Sequence, residues 1–220
     1  PARGGSKRIS GKNIRDFHGK PIISYAIENA LRSELFDEVF VSTDNEEIAE
    51  ISKNLGAVVP LLRSSKNADD FATTSDVLLE VIQYYQTLKK PISIACCLYP
   101  TTPLIDSEDL VKAYSVFVHG NFETLISSVA YSHPIQRAFQ LNDSNAIKLI
   151  QPELINRRSQ DLKTSYHDAG AFYFFDVISF EKSKTLWSEN TGAYELPESK
   201  VQDIDTEVDW KLAELKFRIK

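Results

Sequence analysis

Methionine is absent from this 220-residue chain, which opens at Pro1, and cysteine occurs only as the adjacent pair Cys96 and Cys97. Two neighbouring cysteines inside an apolar stretch cannot staple distant parts of a fold, and no Cys/His spacing suits zinc. His18, His119 and His133 also lack metal-ligand spacing. No apolar run approaches the roughly 20 residues that a membrane span needs. These absences point to a reduced, cytoplasmic compartment and to no membrane partner. There are no repeats, no linker and no low-complexity tract, so one domain is expected over 1–220. Hydrophobic residues at 42% and charged residues at 25% are ordinary globular values, enough to build a core.

Acidic residues predominate, but not at the start. The chain carries a net charge of −6, yet residues 1–20 hold Arg3, Lys7, Arg8, Lys12, Arg15 and Lys20 against Asp16 alone. That stretch carries +5, leaving −11 for the other 200 residues. Four of the cations surround the turn Gly4-Gly5-Ser6. Small residues let backbone N–H groups approach phosphate oxygens, and long basic side chains neutralise charge there. A local cationic patch on an acidic protein fits a small polyanion. A nucleic-acid surface needs a wider basic face, so none is expected. Phosphate loops of this kind follow a buried strand, and a first strand is therefore expected upstream of Pro1.

Along the chain, apolar runs and helical spacings alternate. Pro21 is placed to open a helix containing Ile22, Tyr25, Ala26, Asn29 and Ala30. A β-branched run at 38–43 precedes a helix at 45–55, and a second apolar run covers 57–62. A helix is predicted over 74–88, a buried central parallel strand over 92–99, a helix over 106–119 and a strand over 124–130. This rhythm predicts an α/β fold with a doubly wound, mostly parallel sheet and a ligand at the strand C-termini. Beyond about 131 the pattern changes. Segments 137–141, 146–150 and 171–175 suggest a small antiparallel excursion lobe spanning 131–180. A final helix is expected at 206–217.

Asp203 and Asp205 flank Ile204. On extended backbone both carboxylates project to one side while Ile204 packs inward, which suits a hard divalent ion. The alternative is that Asp205 caps the final helix and Asp203 is solvated. The DxDx[TV] nucleophile pattern of haloacid dehalogenase phosphatases fails at Glu207, and too little chain follows it.

With these segments assembled, the chain resembles the cytidylyltransferases that activate nonulosonic acids, the CMP-sialic acid and CMP-Kdo synthetases, and most closely their pseudaminic acid branch. The resemblance spans essentially all 220 residues. It rests on ARGGSKRISGKN (Ala2–Asn13), LYPTTPL (Leu98–Leu104), PIQRA (Pro134–Ala138), RSQDLKTSYHDAGAFY (Arg158–Tyr173) and QDIDTEVDW (Gln202–Trp210). It implies transfer of CMP from CTP to the anomeric hydroxyl of an α-keto acid sugar, with release of pyrophosphate and dependence on Mg²⁺. It also implies a homodimer formed through the excursion lobe. It assigns Arg3, Ser6, Lys7, Lys12 and Asn13 to the triphosphate, with Arg3, Lys7 and Lys12 catalytic. Arg63, Asp70, Ser75, Tyr99 and Thr101 are implied around the nucleotide, and Asp203 and Asp205 are the implied catalytic metal ligands. Gln136, Arg137, Arg158, Gln160, Tyr166, Asp168 and Phe172 are the implied sugar contacts, Arg158 being preferred to Arg157 for the sugar carboxylate. His167 is a candidate base. Gln136-Arg137 and Tyr99 depart from the sialic acid pattern and favour pseudaminic acid. Legionaminic, sialic and Kdo-type acids remain alternatives, as does a non-catalytic nucleotide-binding module.

Overall fold

The computed structural model describes residues 1–6, 8–69 and 71–219; Lys7, Asp70 and Lys220 lie outside them. The basic loop leads into a short ribbon, β1 (Asp16–Phe17) paired antiparallel with β2 (Lys20–Pro21). Pro21 therefore belongs to the ribbon, and α1 runs Ile23–Arg32, two residues later than its apolar spacing suggests. Its buried face, Ile23, Ala26, Ile27 and Ala30, follows helical periodicity.

α2 (Glu46–Asn54) starts at Asn45, whose side chain accepts a hydrogen bond from the Ile48 N–H at 3.0 Å. Around it, the expected strands at 38–43 and 57–62 reduce to one parallel bridge, Phe40 with Val58. Val41, Ile48, Ala49, Ala57 and Val59 close over Ile23 and Ile27 as one cluster. After the single turn α3 (Ser65–Ala68), α4 (Thr74–Thr87) opens on a reciprocal Thr73/Asp76 capping box.

β3 (Ile94–Leu98), α5 (Ser107–His119) and β4 (Thr124–Ala130) follow. An Asp106/Asp109 capping box starts α5. The excursion then carries β5 (Phe139–Leu141) and β6 (Ile147–Leu149), an antiparallel pair. β7 (Tyr166–Asp176) returns to the body, α6 (Val177–Ser183) caps its end, and β8 (Thr191–Glu195) precedes α7 (Glu207–Ile219).

The main sheet has the order β3-β7-β4-β8. β7 lies antiparallel to both β3 and β4, whereas β4 and β8 are parallel. The α/β class and the helices on both faces are as expected, but the sheet is mixed rather than mostly parallel. β3 is bordered by β7 alone among the described residues, not by parallel strands on either side. Segment 171–175, expected in the excursion, is the middle of β7, a strand of the main sheet.

Alternation along β7 explains why. Phe172 and Phe174 face α5, with Leu110, Ala113 and Phe117. Tyr173 and Phe175 face Ile82 of α4 and Phe180 of α6. Each fully buried phenylalanine contributes about 1.5–3 kcal/mol of burial free energy. A run of four aromatics is therefore worth most where both of its faces are covered, and that place is the interior of the sheet.

Candidate active site

The basic loop is held by backbone before its side chains act. The Ala2 N–H donates to the Ser42 carbonyl at 2.8 Å, and the Gly4 N–H to Asp44 Oδ1 at 2.7 Å. A Cβ on Gly4 would sit 2.9 Å from Asn45 Cβ, so only glycine allows this approach. Buried Asn13 donates from Nδ2 to the Arg3 carbonyl at 2.8 Å, which closes the loop on itself. Gly11, at φ +58°, turns the chain into a short 3₁₀ segment, Lys12–Ile14. The loop then presents Arg3, Ser6, Arg8, Lys12 and Asn13 to a cavity of about 440 Å³, completed by Pro1, Tyr99, Pro100 and Thr101. That volume is in the range of ligand pockets.

The acidic segment reaches the same place. Ile204 is buried with Ile9, Phe17, Ile22 and Trp210, a small core shared by the amino-terminal loop and α7. Arg15 strengthens the junction, pairing with Glu207 and lying over the Trp210 ring. With Ile204 fixed, its neighbours face the loop. Lys12 Nζ donates to the Ile204 carbonyl at 2.7 Å and lies 3.6 Å from Asp205 Oδ1. Arg8 Nη1 is 2.8 Å from Asp205 Oδ2. Burial, and then the neighbouring Asp205 carboxylate, push the Asp203 carboxyl above its ordinary range.

Asp205 does not cap α7. Thr206 does: its Oγ1 accepts from the Asp209 N–H, while Asp209 Oδ2 accepts from the Thr206 N–H at 2.8 Å. Asp209 also accepts from the Asp205 N–H at 3.1 Å, fixing the backbone of the acidic pair. The Asp205 carboxylate is thus released from helix duty. Asp203 and Asp205 are hard oxygen donors on one extended segment beside a cationic cavity, a donor set that fits Mg²⁺ when phosphate and water complete its shell.

Tyr99 is anchored at the cavity wall. Its hydroxyl lies 2.8 Å from Thr74 Oγ1 at the start of α4, beside half-buried Ser75, and its ring meets Tyr173 edge-on. Burial raises the Tyr99 phenol above its ordinary range. Tyr173, raised further by burial and then by Asp168, stays protonated and donates to Asp168 Oδ2 at 2.6 Å. The Gly170 N–H donates to the other Asp168 oxygen at 2.8 Å.

Other expected contacts are arranged differently. Arg63 is buried rather than cavity-lining: its Nε donates to Ser42 Oγ at 2.9 Å and Nη2 to the Ser42 carbonyl at 2.6 Å. It braces the segment that holds Ala2 and Gly4. Phe172, expected as a sugar-pocket wall, is wholly buried against α5, because alternation along β7 turns it away from Tyr173. In the excursion, Gln136 Nε2 donates to the Lys163 carbonyl and Arg137 Nη2 to the Arg157 carbonyl. Gln136 Oε1 and Arg137 Nε are buried with no hydrogen-bond partner among the described residues. Arg158 pairs with Asp161 at 3.1 Å, and Gln160 and Tyr166 are exposed. His167 packs on the Tyr131 ring, its Nδ1 2.9 Å from the Asp168 carbonyl. Lys7 and Asp70 lie outside the described residues. Arg8 is a loop cation whose site role the sequence does not mark, because its pairing with a residue almost two hundred positions away carries no local signal.

A sequence profile described as cytidylyltransferase matches residues 1–179. The chain belongs to the cytidylyltransferase family. Cytidylyltransferases are nucleotidyltransferases, which places this chain among enzymes. The pseudaminic acid cytidylyltransferase of Campylobacter jejuni serotype O:2 is 41% identical over 219 residues, covering 100% of this chain and 94% of that protein. The CMP-N,N'-diacetyllegionaminic acid synthase of Legionella pneumophila is 32% identical, covering 97% of this chain and 92% of that one. Among solved structures, CMP:2-keto-3-deoxy-manno-octonic acid synthetase complexed with CTP superposes with a TM-score of 0.72 at 18% identity. The match covers 100% of this chain and 96% of that one, and it establishes the cytidylyltransferase fold.

Proposed function

We propose that this cytidylyltransferase transfers CMP from CTP to the anomeric hydroxyl of pseudaminic acid, releasing pyrophosphate. The observation that carries the reading is the meeting of loop and tail: Lys12 and Arg8 touch the Ile204–Asp205 segment beside one cavity. Arg3 and Lys12 are suited to the β- and γ-phosphates, where cationic donors stabilise the charge that develops on the leaving pyrophosphate. Ser6, Asn13 and the backbone around Gly4 are suited to hold the triphosphate in register. Asp203 and Asp205 would hold Mg²⁺, which supplies charge neutralisation along the triphosphate when bound. Tyr99 and Thr101 form the wall on which the nucleoside would rest.

The sugar reading draws on the relatives named for pseudaminic acid, 40–41% identical over the full chain, and on the unpartnered polar atoms of Gln136 and Arg137. Buried polar atoms without partners are costly unless a ligand satisfies them. A legionaminic acid substrate is the second reading, supported by the 32% relative. The excursion exposes Phe139, Leu141, Ile147 and Ile150, an apolar surface that a second copy of the chain would cover. CTP as substrate and the free thiols of Cys96 and Cys97 suit the cytoplasm. No described helix is long and apolar enough to cross a membrane.

The test is pyrophosphate release from CTP and Mg²⁺ with a panel of nonulosonic acids. Turnover of pseudaminic acid above all others is expected. Turnover confined to legionaminic, sialic or Kdo-type acids would contradict the substrate assignment.

A further inference from the structure

The cavity is cationic, as its proposed chemistry requires. It is lined by Arg3, Arg8 and Lys12, and no acidic residue lines it among those described. Asp205 stands behind two of these cations, with Arg8 Nη1 at 2.8 Å from one oxygen and Lys12 Nζ at 3.6 Å from the other. Both oxygens that would face an ion are thus already met by positive charge. Among the described residues, no group of three or more His, Cys, Asp or Glu side chains could hold a metal. Two carboxylates, one of them paired, are a poor trap for a free divalent cation that prefers a full oxygen shell.

We propose that Arg8 is a placeholder for the metal: it occupies Asp205 until a triphosphate arrives, so that the divalent ion enters with the nucleotide rather than before it. The inference rests on the reading of Asp205 as a metal ligand. Its physics is an exchange of partners. The Arg8 side chain is 69% exposed and its pair with Asp205 lies at the surface, so the contact is readily traded. A triphosphate in the cavity offers the guanidinium phosphate oxygens, which it binds bidentately, and the carboxylate left behind is free for the incoming ion. While the pair stands, the apparent affinity of Asp205 for a free ion falls by the fraction of time it is unpaired. An exposed pair formed about two-thirds of the time costs about threefold.

The two consequences have opposite signs, which separates this role from a structural one. Removing the guanidinium relieves Asp205 but takes a cation from the phosphates. Free Mn²⁺ binding to the full chain, measured by electron paramagnetic resonance without nucleotide, is expected to tighten by about threefold in Arg8→Gln. CTP binding to the same variant in EDTA, measured calorimetrically, is expected to weaken severalfold. Arg8→Lys, which keeps the charge, is expected to exclude free Mn²⁺ much as the parent does. A loss of fold would weaken both ligands together, and that result would count against the proposal. So would a parent protein that binds free Mn²⁺ as tightly as Arg8→Gln. If that parental binding disappears in Asp205→Asn, the metal-ligand reading survives while the placeholder fails. Tight Mn²⁺ binding that persists in Arg8→Gln/Asp205→Asn would overturn both.

Discussion

Asp205 concentrates the demands on single residues. It sits two positions before α7, a helix that begins without its help, because Thr206 and Asp209 cap each other. Its carboxylate is therefore not engaged by the helix, and its partners, Arg8 and Lys12, are long flexible cations. Asp205→Asn is expected to abolish pyrophosphate release while leaving the thermal melt within a few degrees of the parent; a variant retaining near-full turnover would remove Asp205 from the reaction. Lys12→Ala should lower kcat by about 10²–10³, the usual effect of deleting one donor to developing charge. Steady-state kinetics against CTP checks it. Arg63 belongs to a different class. It is buried on Ser42, so Arg63→Met should lower the melting temperature along with activity, because it releases the segment that anchors Ala2 and Gly4.

At the scale of elements, the acidic segment is an unpaired stretch that side chains must hold. Lys216 Nζ donates to the Glu198 and Val201 carbonyls at 3.1 and 2.7 Å, and Lys200 Nζ reaches Asp106 and buried Asp109 at 2.8 and 2.7 Å. Lys200 thereby ties the start of this segment to the capping box of α5. Burial opposes ionisation of Asp106, but Lys200 and the Asp109 N–H outweigh it and hold the carboxyl at about 2, below its ordinary 3.8. Since the folded value is the lower, this contribution to stability is complete above pH 3.8 and is lost as pH falls towards 2. Asp106→Asn keeps the cap but loses the charge. Its melting temperature should fall below the parent's at neutral pH, and the gap should close as the pH approaches 2; a gap constant with pH would refute the clamp.

Elements also show what was legible in the chain. Strand 124–130 and the helices near 74–88 and 106–119 are found almost as expected, because period and capping residues are local signals. The position of β7 is not local. Its aromatics announce burial on two faces, but nothing within 166–176 says that it pairs between β3 and β4. The burial of Phe172 against α5 is non-local for the same reason, since its side of the strand depends on that register. β8, five residues with glycine and alanine at its centre, carries little strand signal of its own.

For the molecule as a whole, the basic loop and the acidic pair were legible as separate motifs. Their junction depends on Phe17, Ile22, Ile204 and Trp210 sharing one core, which only the folded chain reveals. The excursion raises the assembly question. Phe139 and Leu141 are 52% and 63% exposed, so Phe139→Glu/Leu141→Glu should convert a dimer to a monomer in size-exclusion chromatography with light scattering. A parent that is already monomeric would contradict the proposed dimer.

The central claim is that the amino-terminal cations and the late carboxylates serve one triphosphate. An anomalous-difference map from crystals grown with CTP and Mn²⁺ tests it most directly. The account predicts a manganese peak at Asp203 and Asp205, bridged by phosphate oxygens that also contact Arg3 and Lys12. A triphosphate seated away from the loop, or a manganese peak away from both aspartates, would contradict it.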